Sequence, residues 1–268
     1  MSAEYEIIKY TQDRHPESHI HEFYEIFISL SNDGKFFVEE KAFPLTFGTI
    51  FFLNPFVIHH CFSHTNESYE RYVIHFSREQ LERMSTKNTD LVSTFNSAPV
   101  VRKLPDETLA NLVGKLAELT KPVTAKFGDD VEHNLNFEYF LLQMAKSLDQ
   151  LNDFTDTGKE KDNRVSDILS YIHRHYSENI SLDDLSNRFF ISKSRISQIF
   201  KDTTGFSIGN YIIVYRIKQA CELLRNGSSV QDAGQKVGFN NNPHFIRVFK
   251  QYIGCSPGRF AREQDAKP

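Results

Sequence analysis

Residues 200–211 read FKDTTGFSIGNY and residues 249–260 read FKQYIGCSPGRF, so one pattern occurs twice at a constant offset of 49 positions. Both copies share Phe-Lys, then Gly, Ser and Gly at alternate positions, then an aromatic residue. The match extends upstream, where Ile196 aligns with Phe245 and Ile199 aligns with Val248. A repeat at a fixed offset predicts two copies of one supersecondary unit.

The first copy has the pattern of a helix-turn-helix. Ser181 and Asp184 form a capping-box start for a short support helix. Ser192 then caps a second helix, in which Ile196 and Phe200 fall on one face at helical spacing. We therefore expect the opposite face of this second helix to be exposed.

The second copy repeats this organisation. The residues at 238–241, Gly-Phe-Asn-Asn, form the turn, and Asn242 with Pro243 makes a favourable helix start as N-cap and first helical residue. Phe245 and Phe249 fall on the inward face. A helix from about 208 to 224 connects the copies, and we expect it to hold the two second helices about one DNA turn, roughly 34 Å, apart.

The outward faces of the two second helices suit the major groove of DNA. Arginine pairs with guanine, glutamine pairs with adenine, and an apolar side chain meets the thymine methyl group. Lysines and helix N-termini contact phosphates. The predicted DNA-binding residues are Ser194, Arg195, Ser197, Gln198 and Lys201 in the first copy, and His244, Ile246, Arg247 and Lys250 in the second.

The segment from Ser181 to Phe260 resembles the AraC/XylS family of bacterial transcription regulators. The matching motifs are ISKSRISQIFK at 191–201, YRIKQACELL at 215–224 and VGFNNNPHFIRVFK at 237–250. The resemblance implies double-stranded DNA as partner, contacted by Ser194, Arg195, Ser197, Gln198, His244 and Arg247. It also implies a small-molecule effector, with a sugar favoured, and a homodimer, with RNA polymerase as a further candidate partner. Gly234 departs from the pattern, because a better helix former is expected in the second support helix.

Both copies also match the hydrolase pattern G-x-S-x-G, at 205–209 and at 254–258. That motif requires a preceding strand and a sharp turn that exposes the serine. Here each match follows a helix that ends in Phe-Lys, and Ser256-Pro257 has the pattern of a helix cap. We therefore expect no catalytic residue and no enzyme.

The N-terminal half contains short aromatic and β-branched runs at 23–30, 36–39, 49–53 and 72–76. Strands at this spacing predict a small antiparallel sandwich or barrel, and Asn32-Asp33-Gly34 predicts a hairpin between the first two runs. The fold class expected for the whole chain is α+β multi-domain, with a cupin-like barrel, a helical brace and an all-α double helix-turn-helix domain.

Two helices follow the strands, at 105–119 and 130–151. Leu135, Tyr139, Leu142 and Leu148 lie along one face of the second helix, and Phe140, Leu141, Met144 and Ala145 widen that stripe, so we expect the helix to bury more than one side. It either packs against the barrel or forms a dimer contact. The polar stretch at 152–164 predicts a linker. The expected domains are 1–151 for effector binding and dimerisation and 165–268 for DNA binding.

The motif His19-x-His21-x-x-x-Glu25, followed by His59, resembles the signature of cupin barrels. Many AraC-type regulators resemble a cupin sensor joined to a DNA-binding domain. The predicted effector-binding residues are His19, His21, Glu25, His59 and His75, with Arg71 and Tyr72 as weaker candidates. Imidazoles and a carboxylate are also good metal ligands, but we favour a pocket that has neither metal nor cofactor.

Composition limits the remaining classes of protein. The chain lacks a run of about 20 apolar residues for a membrane helix and lacks a signal-peptide pattern, so we expect a cytoplasmic protein without membrane contact. Residues 161–268 carry 16 Lys and Arg against 10 Asp and Glu, whereas residues 1–160 carry 15 against 25. A basic half joined to an acidic half is typical of a nucleic-acid-binding module attached to another domain. A metal-dependent cupin enzyme and a protein-binding helical module remain the alternatives.

Overall fold

The computed structural model describes residues 5–11, 20–62, 70–97, 100–148 and 163–265. An N-terminal domain of antiparallel strands and helices precedes an all-helical C-terminal domain, as the sequence predicts. The N-terminal elements are β1 (Tyr5–Tyr10), β2 (Tyr24–Ser29), β3 (Lys35–Val38), β4 (Lys41–Pro44), β5 (Thr49–Leu53), β6 (His59–Phe62), β7 (Arg71–Phe76), α1 (Arg78–Met84), α2 (Leu91–Asn96), β8 (Val100–Lys103), α3 (Asp106–Leu119) and α4 (Asp129–Leu148).

The strands form two sheets that do not close into a barrel, and the predicted class of antiparallel β domain is confirmed. The larger sheet has the order β1-β7-β2-β5-β8 and the smaller sheet has the order β4-β3-β6. Phe36 of the small sheet packs against Phe27 and Phe51 of the large one, with ring centroids 4.6 and 4.2 Å apart. The sheets therefore face each other across an aromatic core, which holds them together without hydrogen-bonded closure.

Alternation along the strands produces a layered molecule. Successive side chains of a strand point to opposite faces of its sheet. Thus Phe27 faces the small sheet, while Ile26 and Ile28 pack with the buried residues of α3 and α4, such as Leu116 and Phe140. The helical brace therefore covers the outer face of the large sheet.

The hairpin predicted between the first two strands is wrong. β2 pairs with β5 and β7, whereas β3 pairs with β4 and β6. Gly34 has φ +97°, and a Cβ atom there would lie 3.0 Å from the carbonyl oxygen of Phe62. The chain uses this glycine to cross from one sheet to the other. The hairpin joins β3 to β4 instead, with Glu39 at φ +55°.

The long helix α4 begins within one residue of the predicted start, but part of its predicted face is exposed. Leu148 is buried as expected, whereas Leu135 and Tyr139 are 59% and 55% exposed. Phe140, Leu141, Met144 and Ala145, which the sequence pattern also places in the stripe, are buried as expected, together with Phe137. Most of the linker predicted at 152–164 lies outside the described residues.

The C-terminal domain matches the predicted pair of helix-turn-helix units. The capping box at Ser181 is present, and Ser192 accepts a hydrogen bond from the backbone N–H of Arg195. In the second unit the N-cap is Asn241, one residue earlier than predicted. The helices are α5 (Asn163–His175), α6 (Leu182–Phe189), α7 (Lys193–Thr204), α8 (Ile208–Arg225), α9 (Val230–Lys236), α10 (Asn242–Ile253) and α11 (Pro257–Asp265).

Gly234 has a packing role in α9. A Cβ atom at this position would lie 2.7 Å from Cδ1 of the fully buried Phe245 ring. The glycine lets the support helix approach α10 closely, which explains why a better helix former is absent. Among the helices of the described segments, none is long and apolar enough to cross a membrane.

Candidate functional site

The nine residues predicted to contact DNA lie on two helices, α7 and α10. Eight of them are exposed and Ser197 is partly buried. The inward faces of the same helices, which include Ile196, Phe200, Phe245 and Phe249, are buried. Each helix therefore packs through an apolar face and presents a polar face to solvent.

The connecting helix α8 supports both helix-turn-helix units. Its residues Tyr211, Ile217 and Leu224 are buried in the core of the C-terminal domain. Arg216 joins α8 to the segment after α5, because its Nε donates to the Tyr176 carbonyl oxygen at 2.6 Å and its Nη2 donates to the Glu178 carbonyl oxygen at 2.7 Å. This arrangement fixes the two exposed helix faces relative to one rigid element.

The serines of the two G-x-S-x-G matches are helix caps. Ser207 Oγ accepts a hydrogen bond from the backbone N–H of Asn210 at 3.2 Å, and Ser256 Oγ accepts one from Arg259 at 3.4 Å. Each precedes a helix rather than following a strand, so neither serine has the position of a hydrolase nucleophile.

The N-terminal domain brings four of the five predicted effector-binding residues together. The Nε2 atoms of His21, His75 and His59 lie 2.9, 3.0 and 3.3 Å from Glu25 Oε2. Glu25 lies on β2 and is the register partner of His75 on β7, and His59 comes from β6. His21 precedes β2 rather than lying on a strand, and His19 is outside the described residues.

The pKa values of Glu25, His21 and His59 are shifted in different directions, although the three groups lie close together. Burial would raise the pKa of Glu25, but His59 and the hydrogen bonds from the three imidazoles lower it well below its usual value. Burial lowers the pKa of His21. Burial also acts to lower the pKa of His59, but the adjacent Glu25 carboxylate outweighs it and raises that pKa. Glu25 is therefore ionised in the folded protein.

A cavity of about 70 Å³ adjoins this cluster between the two sheets. Glu25, His59 and His75 line it together with Arg71, one of the weaker pocket candidates, and Tyr10, which no sequence pattern marked as a pocket residue. The guanidinium of Arg71 is buried, with its Cζ 4.2 Å from the centroid of the Tyr10 ring.

Tyr72, a weaker pocket candidate, points away from the cavity. It follows Arg71 on β7, so it faces the opposite side of the sheet and packs in the core beneath the helices. The strand direction that decides between Arg71 and Tyr72 depends on long-range pairing, which the sequence does not show.

The small sheet also contacts the C-terminal domain. Lys218 Nζ of α8 lies 2.7 Å from Glu39 Oε1, and the Tyr211 hydroxyl donates to the Glu39 carbonyl oxygen at 3.3 Å. His173 Nδ1 of α5 lies 3.0 Å from Glu40 Oε1. The turn between β3 and β4 is therefore bound by ionic and polar contacts to two helices of the other domain.

Aromatic side chains of the small sheet complete this domain interface. Phe37 lies with its ring centroid 5.9 Å from that of Phe206 and 6.1 Å from that of Tyr211. His60 packs against Phe206 at 5.2 Å, and Gly205 approaches so closely that a Cβ atom would lie 2.3 Å from the His60 ring. These residues could not be predicted from the sequence, because no local pattern marks a contact between distant segments.

Comparison with known proteins gives a match for each domain. Residues 3–141 match the family model described as AraC-like ligand binding domain, and residues 185–263 match the model described as helix-turn-helix domain. The fold and these matches define a DNA-binding transcription regulator that carries a ligand-binding domain. The chain belongs to the AraC family of transcription regulators.

Several similar proteins from bacteria are named as transcription regulators. An uncharacterized HTH-type transcriptional regulator, YfiF of Bacillus subtilis, is 26% identical over 90% of this chain and 77% of its own length. The HTH-type transcriptional activator RhaS of Escherichia fergusonii is 23% identical over 95% of this chain and 90% of its own length. The Msm operon regulatory protein of Streptococcus mutans is 32% identical, over 37% of this chain and 36% of its own length.

Among solved structures, ToxT of Vibrio cholerae bound to an unsaturated fatty acid covers 97% of this chain and 95% of its own, with 13% identity and a TM-score of 0.42.

Proposed function

We propose that this protein is a sequence-specific regulator in which α7 and α10 read neighbouring major grooves of DNA, under the control of a small molecule bound in the N-terminal cavity. We assign residues 1–151 to effector binding and dimerisation, 152–164 to a linker and 165–268 to DNA binding. The observation that carries the proposal is the exposure of the polar faces of both helices.

The two faces provide complementary kinds of contact. Arg247 and Gln198 are exposed and have the donor and acceptor groups that recognise base edges, and Ile246, 36% exposed, suits a thymine methyl group. Lys201 and Lys250 at the later turns suit phosphates, which fix register without reading sequence. Ser194, Arg195, Ser197 and His244 complete the proposed DNA-contacting set.

Selection of bound DNA from a random pool, followed by affinity measurements, tests this assignment. Arg247→Ala should relax the preference at one base position, with a loss of about 1–3 kcal/mol for the best site. Arg262→Ala is the matched control, because Arg262 is an exposed arginine on α11 outside both reading helices. Equal effects of the two variants, or a uniform loss at all positions with Arg247→Ala, would contradict the assignment.

The small sheet provides a route from the cavity to the DNA-binding domain. Along β6, His59 and Cys61 line the cavity, Phe62 packs in the core of the C-terminal domain, and His60 both borders the cavity and packs against Phe206. Along β3, Phe36 lines the cavity and Phe37 packs against α8. A bound ligand thus touches the reverse side of the surface that holds the DNA-binding domain, and it changes which DNA sites two domains occupy together.

A sugar is the effector class we propose. Carboxylate, imidazole, guanidinium and phenol groups surround the cavity and offer donors and acceptors for several hydroxyl groups, beside the aromatic walls of Phe27 and Phe36. A panel of sugars, scored by thermal shift of the full chain, tests this class. A sugar that raises the melting temperature of the parent protein should not raise that of Arg71→Met. If no sugar changes the melting temperature but carboxylic acids do, the sugar assignment is overturned.

We also propose a homodimer formed through the outer face of the helical brace. Phe127, Val131, Leu135 and Tyr139 follow one another at four-residue spacing and are all at least 55% exposed. A second copy of the same stripe, related by a twofold axis, provides a self-complementary apolar partner. Leu135→Glu should convert dimer to monomer in light scattering, while Leu182→Glu, at an exposed leucine of α6, should leave the mass unchanged.

A further inference from the structure

The turn between β5 and β6 holds a phenylalanine in a conformation that this residue type rarely adopts. Phe56 has φ +63°, and the backbone N–H of Val57 donates to the Asn54 carbonyl oxygen at 3.4 Å across the turn. Pro55 at the second position and a positive φ at the third are the pattern of a type II turn, in which glycine or asparagine is the expected third residue. A phenylalanine there is strained, so contacts made by its ring have to hold it in place.

The ring of Phe56 packs against the second helix-turn-helix unit. The guanidinium carbon Cζ of Arg225, the last residue of α8, lies 4.2 Å from the ring centroid. The Phe260 ring of α11 packs edge-on, with its centroid 5.8 Å away, and Phe56 is only 5% exposed. Guanidinium stacking on an aromatic face and edge-on aromatic pairs are both favourable. The Phe56 ring is therefore a wedge that the N-terminal domain inserts into the C-terminal domain.

Phe260 connects this wedge to α10, the proposed reading helix of the second unit. The ring centroids of Phe260 and Phe249 lie 5.6 Å apart, and Phe249 is on the inward face of α10 beside Phe245, 5.7 Å away. All three rings are fully buried. Close-packed interiors transmit displacements from one side chain to the next. A movement of the Phe56 ring thus reaches α10 through one intervening side chain.

The backbone of Phe56 is bound to the segment beside the cavity. Its N–H donates to the His21 carbonyl oxygen at 2.8 Å. The His21 side chain belongs to the polar cluster, with Nε2 2.9 Å from Glu25 Oε2. His59, which lines the cavity, follows Phe56 by three positions. One residue therefore contacts the second helix-turn-helix unit through its ring and the surroundings of the cavity through its backbone.

The N-terminal domain contacts both helix-turn-helix units without covering their reading faces. Phe37 and His60 pack on the first unit through Phe206, and Phe56 packs on the second. Eight of the nine predicted DNA-contacting residues are exposed while the two domains are in contact. A rigid body that touches both units limits their movement relative to each other. Such preorganisation favours DNA sites that engage both units at once.

We propose that Phe56 is a positioning residue that keeps the second helix-turn-helix unit in register with the first and links that unit to the cavity. Withdrawal of its ring from Arg225 and Phe260 relieves the strain of the turn, so a ligand that shifts residues 54–59 releases the wedge. The second unit is then less restrained relative to the first. This inference rests on the proposed function, and it adds the second unit to the route through the small sheet.

The test compares full-length variants on two DNA duplexes. One duplex carries the site selected by the parent protein, and in the other the half-site whose base preference Arg247→Ala relaxes is replaced. The ratio of the two affinities measures the contribution of the second unit. Phe56→Gly removes the ring but accepts the left-handed conformation, so the turn is retained. We expect this ratio to fall by about fivefold or more, the lower end of typical coupling between sites, with unchanged affinity for the altered duplex.

Two further variants separate the role of the ring from general effects on stability. Phe56→Tyr keeps the aromatic ring and should keep the parent ratio. Phe47→Gly is the matched control, because Phe47 is a 43% exposed phenylalanine of the N-terminal domain outside the buried cluster that joins the domains. It should behave as the parent does. A parent-like ratio in Phe56→Gly would overturn the proposal, and so would equal losses on both duplexes, because these indicate a structural role alone.

Hydrogen–deuterium exchange of the DNA-free full chain tests the contact itself. In Phe56→Gly the amides of α11 and of the last turn of α8 should exchange faster, whereas those of α6 in the first unit should exchange as in the parent. Identical exchange of α11 in the variant and the parent would show that the wedge does not restrain the second unit. Because this measurement needs no DNA, failure of the wedge is distinguishable from failure of the proposed regulatory function.

Discussion

Replacing Gly234 with alanine has two opposite effects on the stability of the C-terminal domain: it improves helix propensity, and it overpacks the contact with Phe245. Alanine in place of glycine inside a helix gains about 1 kcal/mol of helix propensity. The new methyl group, however, would lie 2.7 Å from Cδ1 of Phe245, a distance that real contacts essentially never show. The Phe245 ring has no room to retreat, because Phe239 and Phe249 pack against it with ring centroids 5.2 and 5.7 Å away.

Overpacking of a core costs about 1–3 kcal/mol, which exceeds the propensity gain. We therefore expect Gly234→Ala to destabilise the C-terminal domain by about 1 kcal/mol net, measured by urea unfolding monitored by circular dichroism. It should also weaken DNA binding, because the displaced helix is α10.

Gly209→Ala is the matched control in the same domain. Nothing lies within 4 Å of a Cβ atom built at Gly209, and its position in the first turn of α8 makes the propensity gain only a few tenths of a kcal/mol. The two variants should therefore shift stability in opposite directions. If Gly234→Ala stabilised the protein as much as Gly209→Ala, the close packing of α9 on α10 would be wrong.

Three further results are expected. Lys201→Ala should weaken binding to all DNA sequences alike and lower the slope of affinity against salt by about one counterion, whereas an unchanged slope would exclude a phosphate contact. A double-mutant cycle of Glu39→Gln and Lys218→Met should give a coupling of about 0.5–1 kcal/mol, because the pair is partly buried at 2.7 Å; zero coupling in urea unfolding would contradict the domain contact. A thiol reagent at pH 8 should label Cys255 first, since Cys221 is buried and burial raises its pKa strongly; faster labelling of Cys221 would contradict its placement in the core.

The C-terminal domain was predictable because its determinants are local. Caps such as Ser181 and Ser192 act within three residues, and the apolar faces of α7 and α10 follow helical spacing. The repeat strengthened the prediction, because the same caps and apolar helix faces occur in both copies. The one-residue error at Asn241 reflects two adjacent asparagines, either of which is a good N-cap.

The N-terminal domain was less predictable because sheet pairing is not local. The runs that became strands were recognisable, but nothing in them shows that β2 lies between β5 and β7. The place of His75 beside Glu25, fifty positions away along the chain, follows from that pairing. Glu39 illustrates the same difficulty, because glutamate is not a turn signal and its left-handed conformation is stabilised by contacts with another domain.

The free energies that the contacts between the two domains contribute indicate how a bound ligand acts on the DNA-binding domain. Moving an equilibrium between two domain arrangements from 1:99 to 99:1 requires about 5.5 kcal/mol of differential binding. The partly exposed pairs of Glu39 with Lys218 and of Glu40 with His173 contribute about 1 kcal/mol or less each, which is too little. Burial of Phe37 and Phe62 contributes about 1.5–3 kcal/mol each, so these two side chains supply the larger part of the requirement and the pairs the remainder. A complete switch therefore has to displace the aromatic face of the small sheet, and a ligand in the cavity touches the opposite face of those same strands.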